Sequence, residues 1–250
     1  MSQSSHRLDV ELVRRGLARS RGQARELVEA GSVLLDGSSA TKVSTSVKEG
    51  QNLELASGVE GWVSRAAYKL AAAMEAFGPD GLSADALRCF DIGACTGGFT
   101  QVLLREGARE VVALDVGHGQ LAEEIARDPR VIERSGINIR NALVGDLGGP
   151  AQLLVADLSF ISLRLVLPVL RDLVEPTGDL VLLVKPQFEV GRERLGKGGI
   201  VRSAANRALA IEEVVAVARS VGLGAKAIRR SPIRGATGNA EYLLWLTPRP

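Results

Sequence analysis

From Trp62 onward the chain alternates short apolar runs with segments whose apolar residues recur every three or four positions. The runs "LRCFDIG", "EVVALDVG", "AQLLVADLSF" and "DLVLLVKPQF" read as strands, each closing on polar residues. Leu180 to Val184 shows no alternation, which suits a strand covered on both faces of a parallel sheet. "SRAAYKLAAAMEAF", "GFTQVLLREG", "QLAEEIARD", "LRLVLPVLRDLV" and "RALAIEEVVAVARSVG" read as helices, the first with Ala67, Leu70, Met74 and Phe77 on one stripe. "GAKAIRRSPI" and "NAEYLLWLT" read as a closing strand pair. This order predicts an α/β, doubly wound, Rossmann-like sheet with its ligand at the carboxyl ends of the strands.

Residues 6–56 follow a different pattern and predict a small separate α/β domain. "RLDVELVRRG" and "SRGQARELVEAG" are two short helices, the second with Ser20 and Gln23 spaced as a capping box and Gly31 as its stop. "SVLLDGSSATK" is a strand, an Asp36-Gly37 turn and a return strand, and "VKEGQNLEL" adds another turn and strand. Residues 57–64 form the expected linker, in which Trp62 is either a hinge or a packed aromatic, and residues 65–250 form the large domain. The order "LVRRGLARSRGQARELVEAGSVLLDG" resembles the RNA-binding domain named after ribosomal protein S4.

Charge sharpens that expectation. The net charge is only +2, but residues 1–25 hold Arg7, Arg14, Arg15, Arg19, Arg21 and Arg25 against Asp9 and Glu11. Residues 192–234 hold ten Lys and Arg against Glu193, Glu212 and Glu213. Two basic zones beside a balanced middle point to a polyanionic partner. Arg7, Arg14, Arg15, Arg19, Arg21, Arg25 and Arg65 are therefore candidate RNA contacts. Arg192, Arg194 and Lys197, in the glycine-rich "GRERLGKGGIVRS", are candidates on a mobile lid. Cys89 and Cys95 form no metal or redox motif, and no apolar window is long enough to span a membrane. A cytoplasmic protein without a structural metal or a signal peptide is the expectation.

Two motifs carry the chemistry. "DIGACTGGF" (Asp91 to Phe99) follows the first strand of the large domain and opens a helix, and Asp115 ends the next strand 24 residues after Asp91. Glycines let the backbone turn tightly, and an acid at Asp115 suits the hydroxyls of a ribose. An adenosine-bearing cofactor follows, either a dinucleotide or S-adenosylmethionine. Gly93-x-x-x-Gly97-Gly98 is not the spacing that cradles a pyrophosphate, and the Asp91 carboxylate would repel one while suiting an ammonium. The form D-x-G-x-x-x-G-G resembles the cofactor loop of S-adenosylmethionine-dependent methyltransferases.

The second motif is dispersed. Lys69 lies on the helix before the first strand, Asp157 ends "LLVAD", Lys185 ends "LVLLVK", and Glu241 begins "EYLLWL". If the last strand runs antiparallel, all four ring one pocket. The set resembles the Lys-Asp-Lys-Glu tetrad of FtsJ-like ribose 2′-O-methyltransferases. "WVSRAAYKL", "DIGACTGGFT", "DVGHGQL", "ADLSFISL", "VKPQFEVG" and "GNAEYLLWL" together resemble the TlyA, or hemolysin A, family. That family consists of rRNA 2′-O-methyltransferases acting on cytidine ribose. The resemblance implies Lys69, Asp157, Lys185 and Glu241 as the catalytic set. It places Asp91, Gly93, Ala94, Thr96, Gly97, Gly98, Phe99, Asp115, Val116, Asp157 and Leu158 around S-adenosylmethionine, with ribosomal RNA within ribosomal subunits (16S, 23S or both) as partner. The family's E-R-T-N-x-R pattern stands here as "VIERSGINIR", with Asn138 and Arg140 in place and Glu133 and Arg134 offset. "DLSF" differs from the N-P-P-Y of amino-group methyltransferases, which favours an oxygen acceptor. A ribose hydroxyl is a weak nucleophile, so a lysine whose pKa is lowered by burial or a second cation is the expected base, here Lys185. The alternatives are a non-catalytic rRNA-binding or assembly factor and a membrane-active hemolysin.

Overall fold

The computed structural model describes residues 5–18, 20–29, 31–56 and 61–249, without the side chain of Glu26. The chain divides into two compact units, Met1–Arg65 and Ala66–Pro250.

The first unit comprises β1 (Ser5–Arg7), α1 (Leu8–Arg14), α2 (Arg21–Glu29), β2 (Val33–Leu35), β3 (Ser38–Ser39), β4 (Ser46–Lys48) and β5 (Leu53–Leu55). β1 pairs with β4, and β2 pairs with both β3 and β5, all antiparallel. Asp36 and Gly37 both take positive φ, +49° and +78°, as a two-residue hairpin turn of this hand requires. Leu8, Leu12, Ala24 and Val28 bury the facing sides of the helices. At the expected capping box the Gln23 N–H donates to Ser20 Oγ at 3.2 Å, and the Gln23 amide donates to the Trp62 carbonyl at 3.0 Å.

The arginines of this unit are less free than their density in the sequence implied. Asp9 and Glu11 are each only 1% exposed. Asp9 pairs with Arg7 at 3.0 Å and Arg21 at 2.8 Å, and Glu11 with Arg14 at 2.6 Å and Arg15 at 2.7 Å. Hydrogen bonding from Arg21 holds Asp9 down at about 2, and hydrogen bonding from Arg14 does the same for Glu11. Four of the candidate RNA contacts are thus shared with internal carboxylates. Arg25 is exposed, Arg65 is half-buried, and Arg19 lies outside the described residues.

The second unit is built on α3 (Ala66–Phe77), β6 (Arg88–Ile92), α4 (Gly98–Arg105), β7 (Glu110–Asp115), α5 (Glu123–Ala126), β8 (Val131–Ser135), β9 (Ala151–Ala156), α6 (Leu163–Asp172), β10 (Val174–Val184), α7 (Pro186–Glu189), α8 (Ala204–Ser220), β11 (Leu223–Arg230) and β12 (Tyr242–Pro248). The strands form one seven-stranded sheet in the order β11-β12-β10-β9-β6-β7-β8. β12 runs antiparallel to both neighbours, and β10, β9, β6, β7 and β8 are mutually parallel. One strand was not anticipated. β8 carries Glu133 and Arg134 exposed, because it is an edge strand and half of it meets solvent.

Leu180 to Val184 is 0–1% exposed on both faces of the sheet, which explains the run without alternation. Leu180, Leu182 and Val184 join the main core with Leu154, Val166, Leu170 and Val214. Phe77 of α3 stacks on Trp245 of β12, with ring centroids 5.5 Å apart. Register sets the site. Asp91 lies opposite both Ala113 and Val155, Leu182 opposite Ala156, and Val184 opposite Tyr242. The carboxyl ends of the parallel strands and the start of β12 therefore share one edge.

Candidate active site

That edge gathers three residues carried by strand ends, and α3 supplies a fourth. Asp157 follows β9, Lys185 follows β10, Glu241 precedes β12, and Lys69 sits in the first half of α3. Lys69, Lys185 and Glu241 are 5%, 7% and 2% exposed, so these are not snorkelling surface charges. Lys185 Nζ lies 2.6 Å from Asp157 Oδ1. Lys69 Nζ lies 3.3 Å from Asp157 Oδ2 and 2.8 Å from Glu241 Oε2. Two cations and two anions make one neutral chain, with Asp157 between the lysines. Burial pushes the Asp157 carboxyl up, but Lys69 and Lys185 outweigh it and hold the group below its ordinary value. Lys185 also donates to Ser159 Oγ at 2.7 Å.

Several residues that position this chain carry no local sequence signal. Glu189 is 3% exposed and its carboxyl is pushed up by burial. It accepts from the Leu163 N–H at 2.8 Å and from Ser162 Oγ at 2.5 Å, tying the turn after Lys185 to the start of α6. Asn239, 1% exposed, accepts from the Val201 N–H at 2.9 Å and donates to the Gly199 carbonyl at 3.0 Å. Gly235 leaves the space that Glu241 occupies, since a Cβ there would fall 2.3 Å from Glu241 Oε1. The partners of Glu189 and Asn239 lie tens of residues away, so spacing alone does not show them.

Beside the tetrad is a cavity of about 820 Å³. Gly93, Asp115, Val116, Asp157 and Leu158 line it, as expected. Ala94, Thr96, Gly97, Gly98 and Phe99 do not line it, nor does Asp91. Instead the wall is completed by Cys95, Gln120, Ile137, Asn138, Ile139, Arg140 and the stretch Ser159–Ser162 with Phe188. Glu133 and Arg134 are absent from that wall, consistent with their offset. The glycines of the turn answer to packing first. At Gly93, with φ +84°, a Cβ would stand 2.7 Å from the Asp157 carbonyl oxygen, and at Gly97 it would meet Ile125 and Leu121.

Two acids stand at this sheet edge, Asp115 on the cavity wall and Asp91 off it. The Asp115 carboxylate accepts from the Cys95 N–H at 2.9 Å and the Gly117 N–H at 2.8 Å, which fixes its orientation. Asp91 is fully buried, and burial pushes it up to about 7. Thr100 donates to its Oδ2 at 2.7 Å, while Oδ1 is buried without a hydrogen-bond partner among the described residues. Cys95 (φ +47°) and Phe160 (φ +64°) are non-glycine residues held in the left-handed region on the cavity wall. Phe160 is 91% exposed and its ring lies 5.4 Å from that of Phe188.

The FtsJ-like methyltransferase model matches residues 62–247. The chain belongs to that family. In this FtsJ-like chain the S4 domain model matches residues 6–53. The 16S/23S rRNA (cytidine-2′-O)-methyltransferase TlyA of Mycobacterium tuberculosis strain H37Rv is 48% identical over 96% of this chain and 89% of its own. A Brachyspira hyodysenteriae protein named hemolysin A is 37% identical over 95% of this chain and 98% of its own. A solved structure of a candidate hemolysin from Streptococcus thermophilus superposes with a TM-score of 0.77 at 38% identity, covering 99% of this chain and 90% of that one. Among the described residues no helix is long and apolar enough to cross a membrane.

Gly235→Ala tests the fit around Glu241. Its Cβ displaces the carboxylate from Lys69 but meets no other atom within 3 Å. Methyl transfer falls by about tenfold or more, while the melting temperature moves by about 2 °C or less. Unchanged turnover would show that the Glu241–Lys69 contact is dispensable.

Proposed function

We propose that this protein is an S-adenosylmethionine-dependent rRNA 2′-O-methyltransferase that modifies cytidine ribose within ribosomal subunits. The observation that carries this reading is the buried Glu241–Lys69–Asp157–Lys185 chain beside a cavity lined by Asp157 and Asp115. A binding-only protein has no need to bury two lysines against two carboxylates, since burying each charge costs several kcal/mol before pairing. A ribosomal substrate also makes the cytoplasm the site of action.

The chain's residues fit the cofactor. The cavity volume matches a small-molecule site. Asp115 is oriented to accept ribose hydroxyls, and the unpartnered Oδ1 of Asp91 suits the ammonium of the methionine moiety. When bound, S-adenosylmethionine supplies a methyl group on a sulfonium, electrophilic without further activation. What the protein supplies is alignment and proton removal. Glu241 and Lys69 hold the ribose edge of the site, and Phe160 offers an exposed ring face beside it for a nucleobase. The amine form of Lys185 accepts the proton that the 2′-hydroxyl loses as its oxygen gains the methyl. The resulting ammonium is already paired with Asp157 and hydrogen-bonded to Ser159. The arginines of the first unit and Arg192, Arg194 and Lys197, all three exposed, supply phosphate contacts. The segment bearing the last three is anchored at both ends by buried Val190 and Val201.

Two measurements test the reading. Labelled methyl transfer to unmodified ribosomal subunits yields RNA resistant to alkaline cleavage at a cytidine, and Lys185→Ala lowers the rate by at least about a hundredfold. No transfer to either subunit by folded wild type contradicts it. Cofactor affinity also carries a pH signature. The ammonium pairs with ionised Asp91, which in the free protein takes up a proton as pH falls through about 7. Calorimetry therefore gives binding about tenfold weaker at pH 6 than at pH 8, and Asp91→Asn binds more weakly with that dependence removed. A flat profile in the wild type would place the ammonium elsewhere.

A further inference from the structure

Arginines of the second unit that belong to no assigned site lie on segments that converge on the start of β12. Arg230 ends β11 and lies opposite Tyr242, and the Ser231 N–H donates to the Glu241 carbonyl at 2.9 Å. Arg234 sits in the following loop and donates to the Gly238 carbonyl at 3.0 Å. Arg202 joins from a third segment. Asn239 draws that segment in through Val201 and Gly199, and Arg207 braces it by donating to the Val201 and Arg202 carbonyls and to the Tyr242 hydroxyl. Arg202, Arg230 and Arg234 are all exposed, and none has a carboxylate within ion-pair distance among the described residues. The contrast with Arg7, Arg14, Arg15 and Arg21 is direct, because those four are charge-matched by Asp9 and Glu11.

We infer that Arg202, Arg230 and Arg234 form a phosphate-binding rim that seats the RNA backbone beside Glu241. The inference rests on RNA being the substrate. Three guanidiniums with no ion-pair partner among the described residues, on segments joined through Asn239 and Arg207, present fork-shaped donors suited to phosphodiester oxygens. The backbone of the same loop holds Glu241 through the Ser231 N–H, so phosphate contact and ribose alignment share one loop. Asn239 is then a positioning residue, since it fixes the rim and the approach to Glu241 without touching RNA.

The test compares wild type, the Arg202→Ala/Arg230→Ala/Arg234→Ala variant and an Arg127→Ala/Arg171→Ala/Arg219→Ala control. The control removes the same number of charges away from the rim, at the ends of α5, α6 and α8. Affinity for ribosomal subunits is measured against salt, alongside methyl transfer and cofactor affinity. In the rim variant the slope of log affinity against log salt flattens by about 2, one phosphate per arginine. The KM for subunits rises about tenfold or more, with turnover at saturating RNA and cofactor affinity within about twofold of wild type. The control changes none of these. A rim variant with the wild-type slope and KM, in a preparation whose wild type methylates RNA, overturns the rim alone. A wild type that neither binds nor methylates subunits overturns the substrate reading as well. Loss of binding to anionic lipid vesicles without loss of RNA affinity would assign the rim to a membrane surface and also refute it.

Discussion

Asp157 holds two buried ammonium groups at once, and the catalytic unit is arranged around that contact. Lys69 and Lys185 approach from opposite sides, at 3.3 and 2.6 Å. Without the carboxylate the two cations would face each other in a pocket that excludes water, at a cost of several kcal/mol. The contact needs β9, β10 and α3 to be correctly placed, and each is set by its own packing. β10 is fixed by burial on both faces, and α3 is fixed by Phe77 stacking on Trp245. Turning β12 antiparallel then brings Glu241 to the same edge and completes the charge balance.

The same geometry links the tetrad to the cavity. The Asp157 N–H donates to the Ile92 carbonyl at 3.1 Å, and the Gly93 and Ala94 N–H groups donate to the Leu114 carbonyl. The turn after β6 is thus laced to the ends of β9 and β7. Gly93 must be glycine because the Asp157 carbonyl stands where a Cβ would go. The glycine signature therefore records how closely three strand ends pack, and the ligand site follows from that closeness. Buried Asp91 beneath the turn has one oxygen satisfied by Thr100 and one without a hydrogen-bond partner among the described residues.

Much of this was legible along the chain. The sheet strands with unbroken apolar runs and the Asp36-Gly37 hairpin follow from local pattern, and the four tetrad positions from strand ends taken together with the resemblance to the FtsJ-like set. They do so because burial on two faces, positive φ and a charge ending a core strand leave marks at fixed spacing. β8 was missed because an edge strand carrying Glu133 and Arg134 leaves no such mark. Ser159, Glu189 and Asn239 were missed because their functions lie in contacts across tens of residues, and Gly235 because its fit against Glu241 appears only once the loop is folded. The arginine cluster of residues 1–25 shows what such counting leaves out. Composition counts charges but does not show that Asp9 and Glu11 are buried among them. Arg202, Arg230 and Arg234, without an ion pair among the described residues, fall in the basic zone of residues 192–234, but on segments that only the folded chain brings together.

The central claim is that the two lysines and Asp157 work as one network. Single-turnover methyl transfer with Lys69→Met, Asp157→Asn, Lys185→Met and the three double variants measures this directly. If the residues act as a unit, each double is slower than its slower parent by no more than about threefold, because the first change already dismantles the site. Rate losses that multiply in the doubles would show independent contributions and contradict the account.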